Sequence, residues 1–201
     1  MSVAIWTSIL GVALGALITW IIGHIQQGTF WQRLRNVIMD RHHVCLNEEF
    51  LLSQMLAEEI KKDRFMPEVI FAISPGGGMI AEWLSRVQLG KFNEPIRVRS
   101  ICVHSQRSRI GIATERPIIS DDIDIIAADL PKNSKILLVT DISRGGESLR
   151  IAHEALQKYF VVKNIKTATL FYHVHSRTKP NFFAIRTEKT VYFDWKGQEL
   201  T

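Results

Sequence analysis

The chain has 201 residues, of which 46% are hydrophobic and 22% are charged. It is long enough to bury a proper core, and its composition suits one α/β domain with a short appendage. The formal net charge of +5 at pH 7 fits three kinds of partner: nucleic acid, an anionic membrane surface or a small anionic ligand. We rank nucleic acid last, because the basic residues are scattered and no known nucleic-acid motif occurs.

The first 25 residues are predicted to be a membrane anchor. Residues 3–23 carry no charged side chain and, as a helix, are long enough to cross the roughly 30 Å hydrocarbon core of a bilayer. Trp6 and Trp20 lie toward the two ends, where interfacial anchors occur. A cleaved signal peptide is one alternative, but no basic region precedes the apolar run and no convincing cleavage site follows it. A buried core helix is the other alternative.

Charge flanking this span predicts its orientation. Nothing basic precedes the span, whereas arginines follow it, so the positive-inside rule predicts a single pass through the cytoplasmic (inner) membrane with the soluble part in the cytoplasm. Residues 26–46 are predicted to be a helical linker and 47–201 the soluble domain. That domain opens with a helix whose predicted N-cap is Asn47, followed by two acids. Gly11 and Gly15 have the spacing that permits close contact between membrane helices.

The sequence offers no convincing metal site. Cys45 and Cys102 lie far apart in apolar settings, so we interpret them as buried thiols in a reducing compartment. His42 and His43 are adjacent and, on a helix, would face different directions, which favours a solvated linker. The acidic run 121–124 is interpreted as a surface connection, because a metal needs more oxygen ligands than the sequence places there.

Two strand–loop–helix units form the middle of the domain. The first comprises the apolar run 67–74 and a glycine loop at 75–78, and the second comprises the uncharged run 136–139 and a glycine loop at 143–146. Apolar, β-branched runs of this length are typical of fully buried strands. A glycine loop that leads into a helix presents N–H groups to an anion and lets a phosphate approach the backbone. The sequence therefore predicts phosphate binding at both loops.

The second unit resembles the phosphoribosyl diphosphate (PRPP) signature of the type I phosphoribosyltransferases. That signature has four apolar residues, two acids, two variable residues and then Asp-Thr-Gly-x-Thr/Ser-Leu. The positions that match are Asp141, Gly146, Ser148 and Leu149. The positions that differ are Thr140, Arg144 and Gly145. Thr140 replaces the first acid of the pair, which helps hold the ribose hydroxyls, and Arg144 replaces the acid near the reacting base.

The resemblance extends from about Asn47 to Trp195 and points to the xanthine-guanine and archaeal-type purine branch. Ser74, Gly76 and Gly77 match the loop that holds the diphosphate in that branch, with Pro75 in place of an arginine. The segment 166–195 resembles the hood that binds the base. There His173 replaces a lysine that reaches the base carbonyl, and Thr190 replaces a tryptophan that stacks on the purine, whereas Val191 keeps an apolar contact.

The resemblance implies a type I phosphoribosyltransferase-like α/β fold: a mostly parallel sheet flanked by helices, with a small hood. It implies catalytic roles for Asp141 and Arg144, a mobile loop that carries Arg107 and Arg109, and an acceptor site at His173 and Val191. Mg²⁺ would enter through PRPP. The implied PRPP- or phosphate-binding residues are Ser74, Gly76, Gly77, Asp141, Ser143, Arg144, Gly145, Gly146, Glu147 and Ser148.

Two functions are consistent with these residues. The first is a membrane-anchored enzyme that transfers phosphoribosyl to an unidentified acceptor and releases diphosphate. The second is a catalytically degenerate module that senses PRPP or a nucleotide, or an effector of a defence or stress system. In either case we expect a small phosphate ligand and self-association, as is common in this branch.

Overall fold

The computed structural model describes residues 41–90, 94–104 and 118–195. These residues belong to two compact units. The larger unit is Val44–Glu188, and residues 41–43 and 189–195 belong to the other. We describe each unit separately, beginning with the strands and helices in chain order.

The strands are β1 (Arg41–Val44), β2 (Val69–Ser74), β3 (Arg97–His104), β4 (Ile118–Ile119), β5 (Ile136–Ser143), β6 (Ile165–His173), β7 (Phe182–Thr187) and β8 (Thr190–Phe193). Strands β1 and β8 form a two-stranded sheet, and the other six form one sheet in the order β4-β3-β2-β5-β6-β7. Within the larger sheet β3, β2, β5, β6 and β7 are mutually parallel, and only β4 is antiparallel to its neighbour.

The helices are α1 (Leu46–Lys62), α2 (Gly78–Trp83), α3 (Ile123–Ala127) and α4 (Glu147–Leu156). A π-helical turn, Leu84–Gln88, continues α2, and a 3-10 turn, Val162–Asn164, precedes β6. Helix α4 covers one face of the sheet, in a cluster with Phe71 of β2 and Leu138 of β5. Because side chains alternate along a strand, buried Ile70 and Leu137 face the other side, where α1 and α2 contact the sheet.

The predicted α/β fold is confirmed: the sheet is mostly parallel and helices cover both faces. The runs predicted as buried strands form β2 and β5, which are neighbours near the centre of the sheet. A buried parallel strand needs apolar residues on both faces, and residues 136–139 are all fully buried. The composition of these two runs therefore determines the centre of the fold.

The helical linker predicted at 26–46 is wrong at its described end. Residues 41–44 form strand β1, and His43 stacks on Tyr192 of β8 with ring centroids 5.5 Å apart. Helix α1 starts at Leu46 with Cys45 as its N-cap residue, ahead of the predicted Asn47. The Cys45 thiol is exposed, contrary to the expected buried setting. Pairing with β8 supplies the backbone partners that sequence periodicity does not reveal.

No helix among residues 41–90, 94–104 and 118–195 is long and apolar enough to span a membrane. The anchor predicted at 1–25, including the apolar run 3–23, lies outside the described residues. The anchor therefore stays a prediction.

A side-chain clamp aligns the start of β7 with β6. The Asn181 Oδ1 atom accepts hydrogen bonds from the backbone N–H (2.8 Å) and the hydroxyl (3.1 Å) of Thr167. The Asn181 N–H in turn donates to the Thr167 hydroxyl oxygen at 3.0 Å. Because Thr167 is buried, these are the partners that keep its polar atoms satisfied.

We therefore expect Asn181→Leu to lower the free energy of unfolding by about 1–3 kcal/mol, because it leaves the Thr167 donors without an acceptor. Asn181→Asp places a carboxylate oxygen where the amide oxygen lies, so an acceptor is still present, and serves as the matched control. Urea denaturation of the full chain, followed by circular dichroism, measures both. Equal losses of stability in the two variants would contradict the clamp.

Candidate functional site

The two predicted phosphate loops meet at one edge of the sheet. Strands β2 and β5 are adjacent and parallel, with Val69 opposite Ile136 and Ala72 opposite Val139. Their carboxyl ends therefore lie side by side, and each runs directly into a glycine loop and a helix. Ligands bind to parallel α/β sheets at this edge, outside the carboxyl ends of the strands.

The first loop packs directly against strand β5. A Cβ atom placed on Gly76 would lie 2.3 Å from Cγ and Oδ2 of Asp141, and one placed on Gly77 would lie 2.4 Å from the Val139 carbonyl oxygen. Real Cβ atoms essentially never come this close to other atoms. Glycine is thus required at both positions, and the loop backbone touches the strand that carries Asp141.

The Asp141 carboxylate is held in a fixed orientation. Its Oδ1 accepts hydrogen bonds from the Ile142 N–H at 2.7 Å and from the Thr140 hydroxyl at 3.2 Å. The residue is 4% exposed, and Gly76 covers it. The Thr140 hydroxyl therefore acts as a donor to the Asp141 carboxylate.

A short segment after β6 supports the second loop. Gly146 has φ +79°, in the left-handed region, and a Cβ on it would lie 2.7 Å from the backbone nitrogen of Thr178. The Ser143 and Ser176 hydroxyls lie 2.9 Å apart, and both are within hydrogen-bonding distance of the Thr178 carbonyl oxygen. The resemblance implies that Ser143 binds the phosphate, but in this structure its buried hydroxyl bonds to this segment.

The amino-terminal end of α4 lies directly after the loop that follows the carboxyl end of β5. The first N–H groups of a helix have no partner within it, and the helix dipole places partial positive charge there. Gly145 is exposed with open space around its Cα, and Ser148 is half-buried in the first turn. This end of α4 supplies backbone donors and one hydroxyl, as the phosphate prediction requires.

The acid in this turn is paired with a neighbour on the same helix. Two guanidinium nitrogens of Arg150 donate to the two carboxylate oxygens of Glu147, at 2.5 and 3.1 Å, and a third bonds Glu154 at 2.5 Å. These hydrogen bonds raise the pKa of the Arg150 guanidinium. Because one positive charge is shared between two carboxylates, the Glu147 charge is only partly offset.

Side chains that could hold Mg²⁺ are few in the part of the chain that the structure describes. Among the residues that the structure describes, no group of three or more His, Cys, Asp or Glu side chains is placed to hold a metal ion. Asp141 is nearly inaccessible, and Glu147 is paired with Arg150. The expectation that Mg²⁺ enters on PRPP itself therefore stays a prediction.

Other predicted site residues have varied surroundings. The Ser74 hydroxyl lies 2.5 Å from that of Ser100 on β3, a partner that the sequence does not reveal.

One predicted acceptor residue, His173, is bonded to backbone groups. His173 accepts from the His175 N–H at its Nδ1 (3.3 Å), so its Nε2 donates to the Glu188 carbonyl oxygen (2.9 Å). Val191 is buried in the smaller unit. Arg107 and Arg109 lie outside the described residues.

Comparison with known proteins gives one family and many solved structures. The family model described as "Phosphoribosyl transferase domain" matches residues 46–200. The purine phosphoribosyltransferase of Pyrococcus horikoshii is 27% identical, with a TM-score of 0.63, over 78% of this chain and 94% of that one. The xanthine-guanine-hypoxanthine phosphoribosyltransferase of Helicobacter pylori is 21% identical, with a TM-score of 0.63, over 79% and 96%.

A hypothetical protein of Neisseria gonorrhoeae, solved with bound ppGpp, is 17% identical, with a TM-score of 0.65, over 80% of this chain and 91% of that one. The similarity to this protein and to the Helicobacter enzyme shows the fold. No curated protein matches this chain significantly.

The two neighbouring glycines of the second loop give a matched test of its geometry. We expect Gly146→Ala to lower the free energy of unfolding by at least about 1–2 kcal/mol, the cost of a left-handed alanine, with the contact to Thr178 adding to it. Gly145→Ala should change it by less than about 0.5 kcal/mol, because that position is open. Urea denaturation measures both, and a loss at Gly145 equal to that at Gly146 would contradict the assignment.

Proposed function

Because the chain belongs to the phosphoribosyl transferase domain family, we propose that it binds PRPP across the two glycine loops and transfers the phosphoribosyl group to an acceptor with release of diphosphate. In such a transfer, the bond from C1 of the ribose to the diphosphate oxygen breaks and a bond from C1 to the acceptor forms. The acceptor loses a proton, and diphosphate leaves with the electron pair.

The observation that carries this proposal is the contact of Gly76 with Asp141. It joins the loop expected to hold the diphosphate to the strand expected to face the ribose. A ligand with phosphates at both ends of a ribose needs two anion sites at a fixed separation, and this contact supports such an arrangement of the two loops. Fixed donors that need no rearrangement at the moment of reaction are the main contribution of a protein to this kind of chemistry.

We place the 5′-phosphate at the start of α4. Backbone N–H groups of Gly145, Gly146, Glu147 and Ser148 surround this position in the proposal, and the Ser148 hydroxyl adds a donor. Anions are stabilised at helix amino termini by unpaired N–H groups and by the helix dipole. Ser74, Gly76 and Gly77 at the end of β2 would meet the diphosphate.

The acceptor is proposed to differ from the usual purines. Arg144 brings a positive charge where the family signature has an acid, which suits an anionic acceptor or a further phosphate. Both ring nitrogens of His173 are bonded to backbone groups, so neither is available to a base carbonyl in this conformation. The purine enzymes among the structural neighbours therefore support phosphoribosyl transfer more strongly than they support a purine substrate.

A second candidate function, ligand binding without turnover, is favoured by the surroundings of Asp141. Its carboxylate is buried and held by Thr140 and Ile142, and Arg144 replaces the acid that lies near the reacting base in the signature. A domain that keeps both cradles while losing two acids would sense PRPP or a nucleotide. The apolar run 3–23 supports placing either function at the cytoplasmic membrane, and self-association belongs to the proposal as well.

Isothermal titration of the full chain with PRPP and Mg²⁺ tests the shared part of both candidates. We expect saturable binding that Ser148→Asp weakens at least about tenfold, because a carboxylate repels a phosphate held by the same turn. An acid in the first turn of a helix is favourable to the helix, so the fold should be kept. Gln54→Glu, which adds the same charge at an exposed position in the middle of α1, is the matched control.

No binding by a folded chain, or equal weakening in both variants, would overturn the PRPP site. If binding is observed, the two candidates are separated by screening nucleobases and anionic acceptors for diphosphate release. Release that requires an acceptor supports transfer. Binding with no release for any acceptor, with or without Mg²⁺, supports the sensing module.

A further inference from the structure

A cavity of about 340 Å³ lies beside α4 at the amino-terminal end of β6. Its lining includes His153 of α4, Val162 and Lys163 of the 3-10 turn, Lys166 of β6, and Thr178 and Lys179 of the segment before β7. The glycine loops follow the carboxyl ends of β2 and β5, at the opposite edge of the sheet. The cavity is therefore a different place from the loops, although Thr178 both lines the cavity and packs on Gly146.

The lining is cationic. Lys163, Lys166 and Lys179 contribute three positive charges, and no acid is among the lining residues. None of the three lysines forms an ion pair with a residue that the structure describes, whereas Lys61 and Lys62 of α1 both do. Charges of one sign around a concave surface concentrate the potential there and attract a ligand of opposite charge.

His153 adds a hydrogen-bond donor rather than a charge. Burial lowers the pKa of its imidazole, against a smaller opposing effect of Glu154, which favours the neutral ring. The Gln157 side-chain nitrogen lies 3.1 Å from His153 Nδ1. An amide nitrogen donates, so Nδ1 accepts and the ring proton is on Nε2.

The cavity also has an apolar part and a suitable size. Val162 is 54% exposed although it is large and hydrophobic, and it lies on the cavity wall. The volume falls at the lower end of the roughly 300–1,000 Å³ found for small-molecule sites. An inorganic anion alone would leave Val162 without a contact, whereas an organic phosphate would cover it.

We propose that this cavity is a second ligand site, which binds a small organic phosphate with its lysines around the phosphate and Val162 against the organic part. Nothing in the proposed transfer requires this site. It is held by α4, the turn before β6 and the segment before β7, all within the larger unit.

The test uses ribose 5-phosphate as the probe and the full-length Ser148→Asp variant as the protein. Ser148→Asp weakens the proposed site in the glycine loops, so remaining binding that depends on the cavity lysines reports on the cavity. We expect one saturable site by isothermal titration. Adding Lys163→Glu and Lys179→Glu should weaken it at least about tenfold, because two charge-assisted hydrogen bonds are replaced by repulsion.

Two controls make the result specific. Lys163→Arg with Lys179→Arg keeps both charges and should keep binding, and the exposed Lys158→Glu, outside the lining, should change it by less than about twofold. Circular dichroism verifies the fold of every variant. Absence of binding to folded Ser148→Asp protein, or binding unchanged by the double reversal, would overturn the second site.

This result is distinguishable from failure of the proposed transfer. The loss of PRPP binding between the unmodified chain and Ser148→Asp measures the glycine loops, and the loss of ribose 5-phosphate binding when both lysines are reversed in Ser148→Asp measures the cavity. Either measurement is able to fail while the other succeeds.

Discussion

The site depends on one close contact, between the Cα of Gly76 and the carboxylate of Asp141. Because no Cβ fits between them, the loop after β2 lies directly on the strand that carries the acid. The parallel pairing of β2 with β5 is what makes the contact possible, since it brings two carboxyl ends to one edge. The apolar residues of both strands, which are buried on both faces, in turn keep that pairing in the centre of the sheet.

The sequence predicted the parts of the fold that depend on local composition. Residues 136–139 and the run before Ser74 have no other reasonable place than a buried strand, and glycine loops with helices after them are visible without a structure. The features that were missed depend on partners far along the chain. Strand β1 needs β8, and the acidic run 121–124 accepts hydrogen bonds from the Cys102 N–H at Asp121 and from the Tyr159 hydroxyl at Asp124.

The same distinction holds for the site. Glycines and hydroxyls in the two loops were assigned from spacing, but the support of the second loop was not. Along the chain, Ser143 is 33 residues from Ser176 and 35 residues from Thr178. Only folding places the three together. Two hydroxyl residues in a loop after β6 are too weak a signal to predict that they pack on Gly146.

The shape of the two loops and the charges around them are separate features of the site. Three close contacts set the shape: Gly76 on Asp141, Gly77 on Val139 and Gly146 on Thr178. Among the charges, Glu147 is paired with Arg150, which also bonds Glu154. In our proposal Thr140 and Arg144 stand in place of acids, and less negative charge around the loops favours anions, which fits both candidate functions.

Thr178 connects the two proposed sites. It lines the lysine-rich cavity, and its backbone nitrogen occupies the space that leaves Gly146 no room for a side chain. A ligand that moves Thr178 must therefore move the turn that begins α4 or open a gap beside it. Any such coupling acts equally in both directions, so a phosphate bound at α4 would alter the affinity of the cavity by the same factor. The segment that carries Thr178 would thereby couple the two proposed anion sites.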